Sequence, residues 1–339
     1  MSGTIAGLGE FGLIARIAAR LRRPAEGVLL GIGDDTAVLD MGGPRLTLAT
    51  VDMQVEGRHF LRERTPPELL GRRVAAVNLS DIAAMGGTPR WALVSLALPA
   101  SLPVTWVDAF YEGLDALLGA HGAAVVGGNL AGNDRIVADL TLLGDVERGA
   151  LLTRGGARLG DLICVTGTLG RSAAGRAALD ADPTAEDAAA IRAHLAPEPR
   201  VREGQVLAAA GGVTAMIDLS DGLAGDLAHI CTRSDMGARI ETALLPVAAD
   251  THRIALRLGL DPLRLALSGG EDFELLFTAP AARVERLRAA VFAATGSAVT
   301  VIGEVRPAEE GRRLIGAPDR ETPPGGWDHF QRERQGEAR

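Results

Sequence analysis

The chain has 339 residues, which is long enough for two domains. Its 47% hydrophobic and 23% charged residues are typical of globular proteins and exclude disorder over most of its length. A formal net charge of −8 disfavours non-specific binding to nucleic acid or anionic membranes, and 3 Trp, 1 Tyr and 7 Phe are too few for base-stacking platforms. All 35 basic residues are arginine, which excludes Schiff-base chemistry and a Walker A lysine.

The first half of the chain alternates strand-like and helix-like segments. An apolar stripe through Leu70, Val74 and Val77 has helical spacing, whereas short apolar runs ended by Pro or Gly are typical of strands. Strands are predicted at residues 45–51, 91–98, 125–128 and 136–146, and helices at residues 67–85 and 104–121.

The second half repeats this mixed pattern after an interruption at Thr153-Arg154-Gly155-Gly156. Strands are predicted at residues 162–166, 215–219, 238–242, 263–267, 274–278 and 299–305, helices at 172–179, 200–210, 222–232 and 281–293, and an exposed connection at 180–187. The pattern therefore indicates the α/β (α+β) class, with two mixed α/β domains at residues 1–148 and 149–339.

Targeting and redox signals are missing from the sequence. Residues 1–10 are Gly-rich without a cationic start, and no apolar run approaches the ~18 residues of a membrane span. Cys164 and Cys231 cannot form a disulfide framework, and Cys164 lies in an apolar run typical of a buried thiol. We therefore expect a soluble cytoplasmic protein that binds neither membrane nor nucleic acid.

Acidic residues and glycines cluster where strands and turns end. The segments are Gly31-Ile32-Gly33-Asp34-Asp35, Val51-Asp52, Asn78-Leu79-Ser80-Asp81, Gly127-Gly128-Asn129, Asp218-Leu219-Ser220-Asp221-Gly222 and Ser268-Gly269-Gly270-Glu271-Asp272. Any one of them has a simpler explanation as a turn or a helix cap. Asp81 differs because its neighbours are apolar, so that a partly buried carboxylate would require a hydrogen-bond donor or a cation.

Together these segments predict a site for metal ions and phosphate. Mg²⁺ prefers oxygen ligands and is commonly bound by carboxylates together with substrate phosphates, and glycine lets backbone N–H groups approach phosphate oxygens. The six His residues show no metal-site spacing, and no G-x-S-x-G elbow occurs. Gly167-Thr168-Leu169-Gly170 is not a G-x-G-x-x-G fingerprint, which makes a dinucleotide-binding site of the Rossmann type a weak alternative.

Further segments extend the pattern, in chain order: Gly9-Glu10-Phe11-Gly12-Leu13-Ile14, Glu56-Gly57-Arg58-His59-Phe60, Phe273-Glu274 and Gly326-Trp327-Asp328-His329-Phe330. With the acidic segments, they resemble the thiamine-monophosphate kinases of the aminoimidazole ribonucleotide synthetase-like superfamily over nearly the full length. The resemblance implies ATP-dependent phosphorylation of thiamine monophosphate to thiamine diphosphate, several Mg²⁺ ions, and a homodimer whose N-terminal domains pair through their sheets.

The resemblance also implies site residues. The implied metal ligands are Asp35, Asp52, Asp81, Asn129, Asp218 and Asp221, with Thr50 and the Val51 backbone as further oxygens. Implied nucleotide contacts are Tyr111, Gly128, Asn129, Arg154 and Ser220, and implied acceptor contacts are His59, Glu271 and Trp327. The catalytic positions are Asp52, Asp81 and Asp218; Trp327 has the alternative of a packing residue near the C-terminus.

Two positions depart from the pattern of the family. Asn129 stands where many members have Asp, which keeps an oxygen ligand but removes a charge, and Phe273 stands where Tyr is common. The alternatives are selenophosphate synthetase, aminoimidazole ribonucleotide synthetase, hydrogenase maturation proteins and a non-catalytic nucleotide-binding paralogue. The first uses an N-terminal Cys and a Lys that this chain lacks, and the retained carboxylates argue against the last.

Overall fold

The structure, a computed structural model, describes residues 4–21 and 26–316, so the predictions for Trp327 lie outside the described part. Two six-stranded sheets, one from each half of the chain, are packed with helices. The predicted mixed α/β class is thereby confirmed. Within the described ranges, the helices fall short of the length and hydropathy that a bilayer crossing requires.

The first sheet has the strand order β1-β2-β3-β6-β4-β5. Its half of the chain contains α1 (Ile5–Arg20), β1 (Val28–Leu30), β2 (Ala37–Leu39), β3 (Arg45–Val55), α2 (Pro67–Ala84), β4 (Thr88–Leu98), α3 (Val104–Ala120), β5 (Ala124–Gly132) and β6 (Val137–Glu147). Neighbouring strands are antiparallel except β4 and β5, because α3 connects them as a crossover between parallel strands.

The second sheet has the order β12-β9-β11-β7-β10-β8. Its half contains β7 (Leu162–Thr166), α4 (Arg171–Asp180), α5 (Ala188–Leu195), α6 (Val201–Ala210), β8 (Ala215–Asp218), α7 (Leu223–Ser234), β9 (Met236–Glu241), α8 (Ala249–Leu258), α9 (Pro262–Ser268), β10 (Leu275–Ala279), α10 (Ala281–Thr295), β11 (Val299–Pro307) and β12 (Arg312–Ile315). Single 3₁₀ turns occupy Arg148–Ala150, Ala185–Asp187, Thr242–Leu244 and Ala308–Glu310.

One predicted strand is wrong: residues 263–267 lie in the helix α9. The run Leu263-Arg264-Leu265 alternates in polarity as a strand does, but the signals before it start a helix. Pro262 occupies the first turn, and the Asp261 carboxylate accepts the N–H of Leu263 at 2.9 Å as an N-cap. The predicted exposed connection holds through residue 186, whereas Asp187 is buried and its carboxylate accepts from Arg257 at 2.5 Å.

Helix α2 joins the two halves of the molecule. It packs against α3, β3 and β6 of the first half and against α6 and β8 of the second. The core around it therefore continues from Leu79 and Ile82 into Met216 and Phe277, and it includes Cys164, whose predicted burial is confirmed. A helix in contact with protein on every side buries its polar residues as well, which is the case for Arg73, Asn78 and Ser80 in α2.

Two glycines permit the close approach of α2 and α3. A Cβ built on Gly71 would overlap the carbonyl oxygen of Phe110, and one on Gly113 would overlap that of Glu68. The backbones of the two helices thus meet where neither has a side chain, and this contact fixes the position of α2.

We expect Gly113→Ala to lower the free energy of unfolding by about 1–3 kcal/mol, because the new methyl group has no space against the α2 backbone. Gly119→Ala in the same helix is the control: nothing lies within 4 Å of its Cβ position, and the gain in helix propensity is at most about 1 kcal/mol. Urea unfolding followed by circular dichroism measures both variants, and equal midpoints for the two would contradict the packing argument.

Candidate active site

Three carboxylates from separate parts of the chain meet between the two halves. Asp35 follows β1, Asp81 lies in the last turn of α2, and Asp218 is the last residue of β8. Each offers a carboxylate oxygen, and these oxygens all lie within 4.8 Å of one another. The fold thus assembles three of the predicted site residues into one acidic cluster.

Neighbouring hydroxyls and charges define the electrostatics of this cluster. The Thr50 hydroxyl donates to Asp81 Oδ2, and the Ser80 hydroxyl donates to Asp218 Oδ2 at 2.6 Å. Burial, followed by the charges of neighbouring carboxylates including Asp35, raises the pKa of Asp81 well above its usual range. Burial and then the Asp35 charge likewise raise the pKa of Asp218 to about 8. The carboxylates of the cluster therefore repel one another, and a cation would relieve this repulsion.

Asp52 on β3 belongs to the same electrostatic group. Its charge contributes to the raised pKa of Asp81 and of Asp218. Burial, then the charges of Asp139, Glu10 and Asp35, raise the pKa of Asp52 to about 7. Its backbone N–H donates to Asn78 Oδ1 at 3.2 Å, which connects β3 to α2.

Arg154 is held against the acidic cluster. Its Nε and Nη2 donate to Asp35 Oδ1 at 3.2 and 2.6 Å, and its backbone N–H donates to Asp34 Oδ2 at 3.2 Å. Burial lowers the pKa of Arg154, but the Asp35 and Asp34 charges outweigh it, and the guanidinium stays charged. The other oxygen of Asp35, Oδ2, is buried without a hydrogen-bond partner.

Three residues that are predicted to contact the nucleotide lie away from the acidic cluster: Tyr111, Gly128 and Asn129. They line a cavity of about 450 Å³ on the β5 edge of the first sheet. Asp52 is separated from Gly128 by β6 and β4, which corresponds to three strand spacings, or about 14 Å. The single chain does not bring these residues to the acidic cluster, and their predicted roles stay predictions.

Gly128 also has a packing reason to be glycine. A Cβ at this position would overlap the carbonyl oxygen of Val94 on β4. The glycine is thus required by the approach of β5 to β4, whereas sequence reasoning attributed it to the approach of phosphate. Val51, predicted to offer only its backbone oxygen, has a side chain 58% exposed on β3.

The remaining predicted residues lie at two places. Ser220 and Asp221 follow β8, where the Ser220 carbonyl accepts the Glu271 N–H at 2.7 Å. Glu271 forms an ion pair with Arg73 of α2. His59 follows β3, and its Nδ1 accepts the N–H of Val55 at 2.9 Å. Ser220, Asp221 and Glu271 therefore adjoin the Asp218 end of the cluster, while His59 lies beyond the end of β3.

Sequence reasoning missed Ser80 and Asp226 as site residues. Asp226 in α7 is 1% exposed, and its Oδ2 accepts the Asp221 N–H at 3.2 Å. Burial and then the Asp221 and Asp218 charges raise the pKa of Asp226 well above its usual range. The available signal was the position of Asp226 between Leu223 and Leu227, on the apolar face of a helix.

The acidic cluster fits a hard divalent cation such as Mg²⁺. Its ligands would be carboxylate oxygens, which Mg²⁺ prefers, and one buried oxygen of Asp35 has no other partner. The raised pKa of Asp81 and Asp218 shows that protein donors alone do not neutralise the site.

Comparisons with known proteins agree with this arrangement. The AIR synthase related protein family matches the chain with its N-terminal domain at residues 33–146 and its C-terminal domain at residues 158–315. The fold and site thus define a two-domain AIR synthase related protein.

Individual relatives narrow the class. Thiamine-monophosphate kinase of Escherichia coli strain K12 is 41% identical over 337 residues, covering 95% of this chain and 98% of the relative. The same enzyme of Aquifex aeolicus strain VF5 is 37% identical with the same coverage. The solved structure of AaThiL complexed with AMPPCP and TMP matches with a TM-score of 0.86 and 36% identity, covering 97% of this chain and 100% of that one. The chain belongs to the thiamine-monophosphate kinase family.

We expect Mg²⁺ to raise the melting temperature of the nucleotide-free protein, because it relieves the repulsion among Asp35, Asp81 and Asp218. Binding at a hundred times Kd stabilises by about 2.7 kcal/mol. Differential scanning fluorimetry against KCl of equal ionic strength measures the shift. Asp81→Asn should lose at least half of it, whereas Asp108→Asn on the exposed side of α3 should keep it.

The rise in melting temperature that Mg²⁺ causes should be larger at pH 8 than at pH 6. A carboxyl whose pKa is raised on folding costs stability when ionised, and this cost disappears as the pH falls through its folded value, about 7 for Asp52 and about 8 for Asp218. At pH 6 the metal-free site is thus largely protonated and has less repulsion for Mg²⁺ to relieve. Two results would contradict the assignment of the acidic cluster as a Mg²⁺ site. One is a rise in melting temperature as large in Asp81→Asn as in the wild type, and the other is a rise that does not depend on pH.

Proposed function

We propose that this protein transfers the γ-phosphoryl group of ATP to thiamine monophosphate, forming thiamine diphosphate and ADP. The observation that carries the proposal is the cluster of Asp35, Asp81 and Asp218, which both halves of the chain build together. Support comes from the family and from AaThiL, which is complexed with AMPPCP, an ATP analogue, and with TMP, thiamine monophosphate. We expect the reaction to take place in the cytoplasm, where its ATP is supplied.

The transfer is proposed to be direct and in line. The acceptor phosphate has a second pKa of ~6, so that at neutral pH its oxygen is anionic and serves as its own nucleophile. No side chain is then required as a general base. The chain's task is to hold two anions in line against their mutual repulsion, which is mainly a matter of positioning and electrostatics.

Mg²⁺ fits this task, and when bound it would screen the two phosphate groups and stabilise the charge on the transferred oxygens. Its proposed ligands are Asp35, Asp52, Asp81, Asp218 and Asp221, with Asn129, Thr50 and the Val51 carbonyl. Arg154 is proposed to contact the nucleotide phosphates, because the chain has no lysine and this guanidinium is already held at the cluster by Asp35.

A homodimer is proposed because the outer face of the first sheet exposes large apolar side chains. They are Val51 (58%) and Met53 (50%) on β3 and Trp91 (51%) and Leu93 (42%) on β4, with Thr141 and Asp139 of β6 between them. Several exposed apolar side chains on one face are typical of an interface. Asn129 pairs with Ser95 on the same outward face, whereas the Asp52 carboxylate is on the other face of the sheet. A second copy would therefore be needed to bring Asn129 to an acidic cluster.

We expect the protein in solution to have twice the 35.2 kDa mass of one chain by light scattering. Leu93→Arg should give monomers and lose most turnover, because a charge on this face opposes burial and separates Asn129 from the partner's cluster. Leu256→Arg on α8, where the side chain is 85% exposed, should remain dimeric and active. A fully active monomeric wild type would exclude the composite site.

The activity itself is tested by coupled ADP release. We expect turnover with thiamine monophosphate but not with thiamine or without acceptor, since only the monophosphate offers an anionic oxygen. Asp52→Ala should reduce kcat by roughly a hundredfold or more through loss of a charge-neutralising ligand. Asp115→Ala, exposed on α3, should match the wild type.

Near-normal kcat of Asp52→Ala at limiting Mg²⁺ would refute the metal assignment. ADP release without the monophosphate would favour another ATP-using enzyme of the superfamily. Nucleotide binding with no turnover at millimolar Mg²⁺ would favour a non-catalytic paralogue.

A further inference from the structure

Glu271 lies on a backbone turn of unusual conformation. Glu271 and Phe273 have φ angles of 60° and 50°, in the left-handed region that residues other than glycine rarely adopt. Gly270 before them has φ 68°, and a Cβ there would lie 2.7 Å from the Ser220 carbonyl oxygen. Such a conformation persists only where its surroundings hold it, and it is common at binding sites.

Backbone contacts hold the turn on both sides. Phe273 N–H donates to the Leu219 carbonyl at 2.9 Å, so the turn follows the chain that leaves β8. The Asp272 carboxylate accepts the N–H groups of Gly170 at 2.6 Å and Ser172 at 3.2 Å at the start of α4. These contacts fix the main chain of the turn. The direction of the Glu271 carboxylate depends instead on the residues that its side chain contacts.

Arg73 is the main partner of that carboxylate. Its side chain is 1% exposed, in the middle of α2. Nη2 donates to Glu271 Oε1, Nη1 to the carbonyl of His194 at the end of α5, and Nε to Gln54 Oε1 at 3.1 Å. Each nitrogen of the planar guanidinium has its own acceptor, on three different elements. Of the three acceptors only Glu271 is charged, so its hydrogen bond with the Arg73 guanidinium is charge-assisted and is the strongest of the three.

The Glu271 carboxylate still has an accessible edge. Its side chain is 30% exposed, and Oε2 lies 3.4 Å from His194 Nδ1. Burial raises the pKa of Glu271, but Arg73 and His194 outweigh this and lower it to about 2. Glu271 is therefore ionised at every physiological pH. An ionised carboxylate with one accessible edge suits a cationic ligand, and the thiazolium ring of thiamine monophosphate carries a permanent positive charge.

We propose that Arg73 is a positioning residue, which orients the Glu271 carboxylate toward the acceptor and ties it to β3 beside Asp52. The proposal rests on the proposed function and on the predicted contact between Glu271 and the acceptor. Gln54, the β3 partner of Arg73, is two residues from Asp52. One guanidinium thus links the acceptor end of the site, in the second half of the chain, to the metal end in the first half.

The kinetic test compares Arg73→Lys with Arg72→Lys. Lysine keeps the charge but cannot reach three acceptors with a fixed fork. We expect Arg73→Lys to raise KM for thiamine monophosphate at least tenfold while KM for ATP stays within twofold. Arg72→Lys, the same change one residue earlier, should leave both constants within twofold, because Arg72 pairs instead with Glu198, whose side chain is 57% exposed.

A double-mutant cycle separates positioning from general stability. If Arg73 acts through Glu271, Arg73→Lys should raise the acceptor KM no further in a Glu271→Gln background. A purely structural role would multiply the two effects and would also raise KM for ATP; either result overturns the proposal.

Hydrogen exchange tests the same idea without catalysis. Mass spectrometry of wild type, Arg72→Lys and Arg73→Lys should show faster exchange in peptides covering residues 269–273 of Arg73→Lys alone. If Arg73→Lys does not fold, Gln54→Met removes one acceptor of Arg73, and a smaller change in the same direction is expected. Unchanged exchange in a folded variant overturns the proposal. An inactive wild type with the expected exchange pattern would instead refute the proposed function and leave the positioning of Glu271 by Arg73 supported.

Discussion

Burial and the charges of Asp35 and Asp52 raise the pKa of Asp81 and Asp218, so these carboxylates repel each other where water screens their charges only in part. Such an arrangement costs folding free energy when the site is empty, and it persists because both halves of the chain are packed around it. The hydroxyls of Thr50 and Ser80 each donate a hydrogen bond to one carboxylate oxygen, of Asp81 and Asp218 respectively. The positive charge of Arg154 offsets the negative charge of the Asp35 carboxylate. What remains uncompensated is the negative charge to which Mg²⁺ and, through it, two phosphorylated ligands are proposed to bind.

Helix α2 explains how ligands from distant parts of the sequence share one site. It lies between the two sheets. It carries Asp81 and Ser80 near its end, and Arg73 two residues after its glycine, Gly71. Because the helix is packed on all sides, small shifts of its axis are resisted by both cores. The acidic cluster and the Arg73–Glu271 pair are therefore positioned by the same element, one toward β8 and the other toward the turn after α9.

Much of the fold follows from local patterns, and the errors have local causes as well. Helices α2 and α3 and the long strands were predicted from apolar periodicity to within a few residues, because one face of each meets a core. Residues 263–267 were predicted as a strand because their alternating polarity hid a helix that Asp261 and Pro262 start. Helices α1, α5 and α8 and strands β1, β2 and β12 were not predicted; the strands are three or four residues long, and α5 is an eight-residue Ala-rich segment.

The sequence by itself determined the kind of chemistry, a site for metal ions and phosphate. The signals were oxygen ligands in a chain without lysine or paired histidines, glycines next to acidic residues, and the resemblance to one family. It could nominate Asp35, Asp81 and Asp218 because a carboxylate among apolar residues needs a partner wherever it is buried. Only the tertiary structure decided which of them meet, since residues 35 and 218 are brought together by packing across α2. It also decided that Asn129 faces away from Asp52 in the same chain and that Glu271 is already paired with Arg73. Such contacts depend on strand register and on side chains far apart in the sequence, which no local pattern encodes.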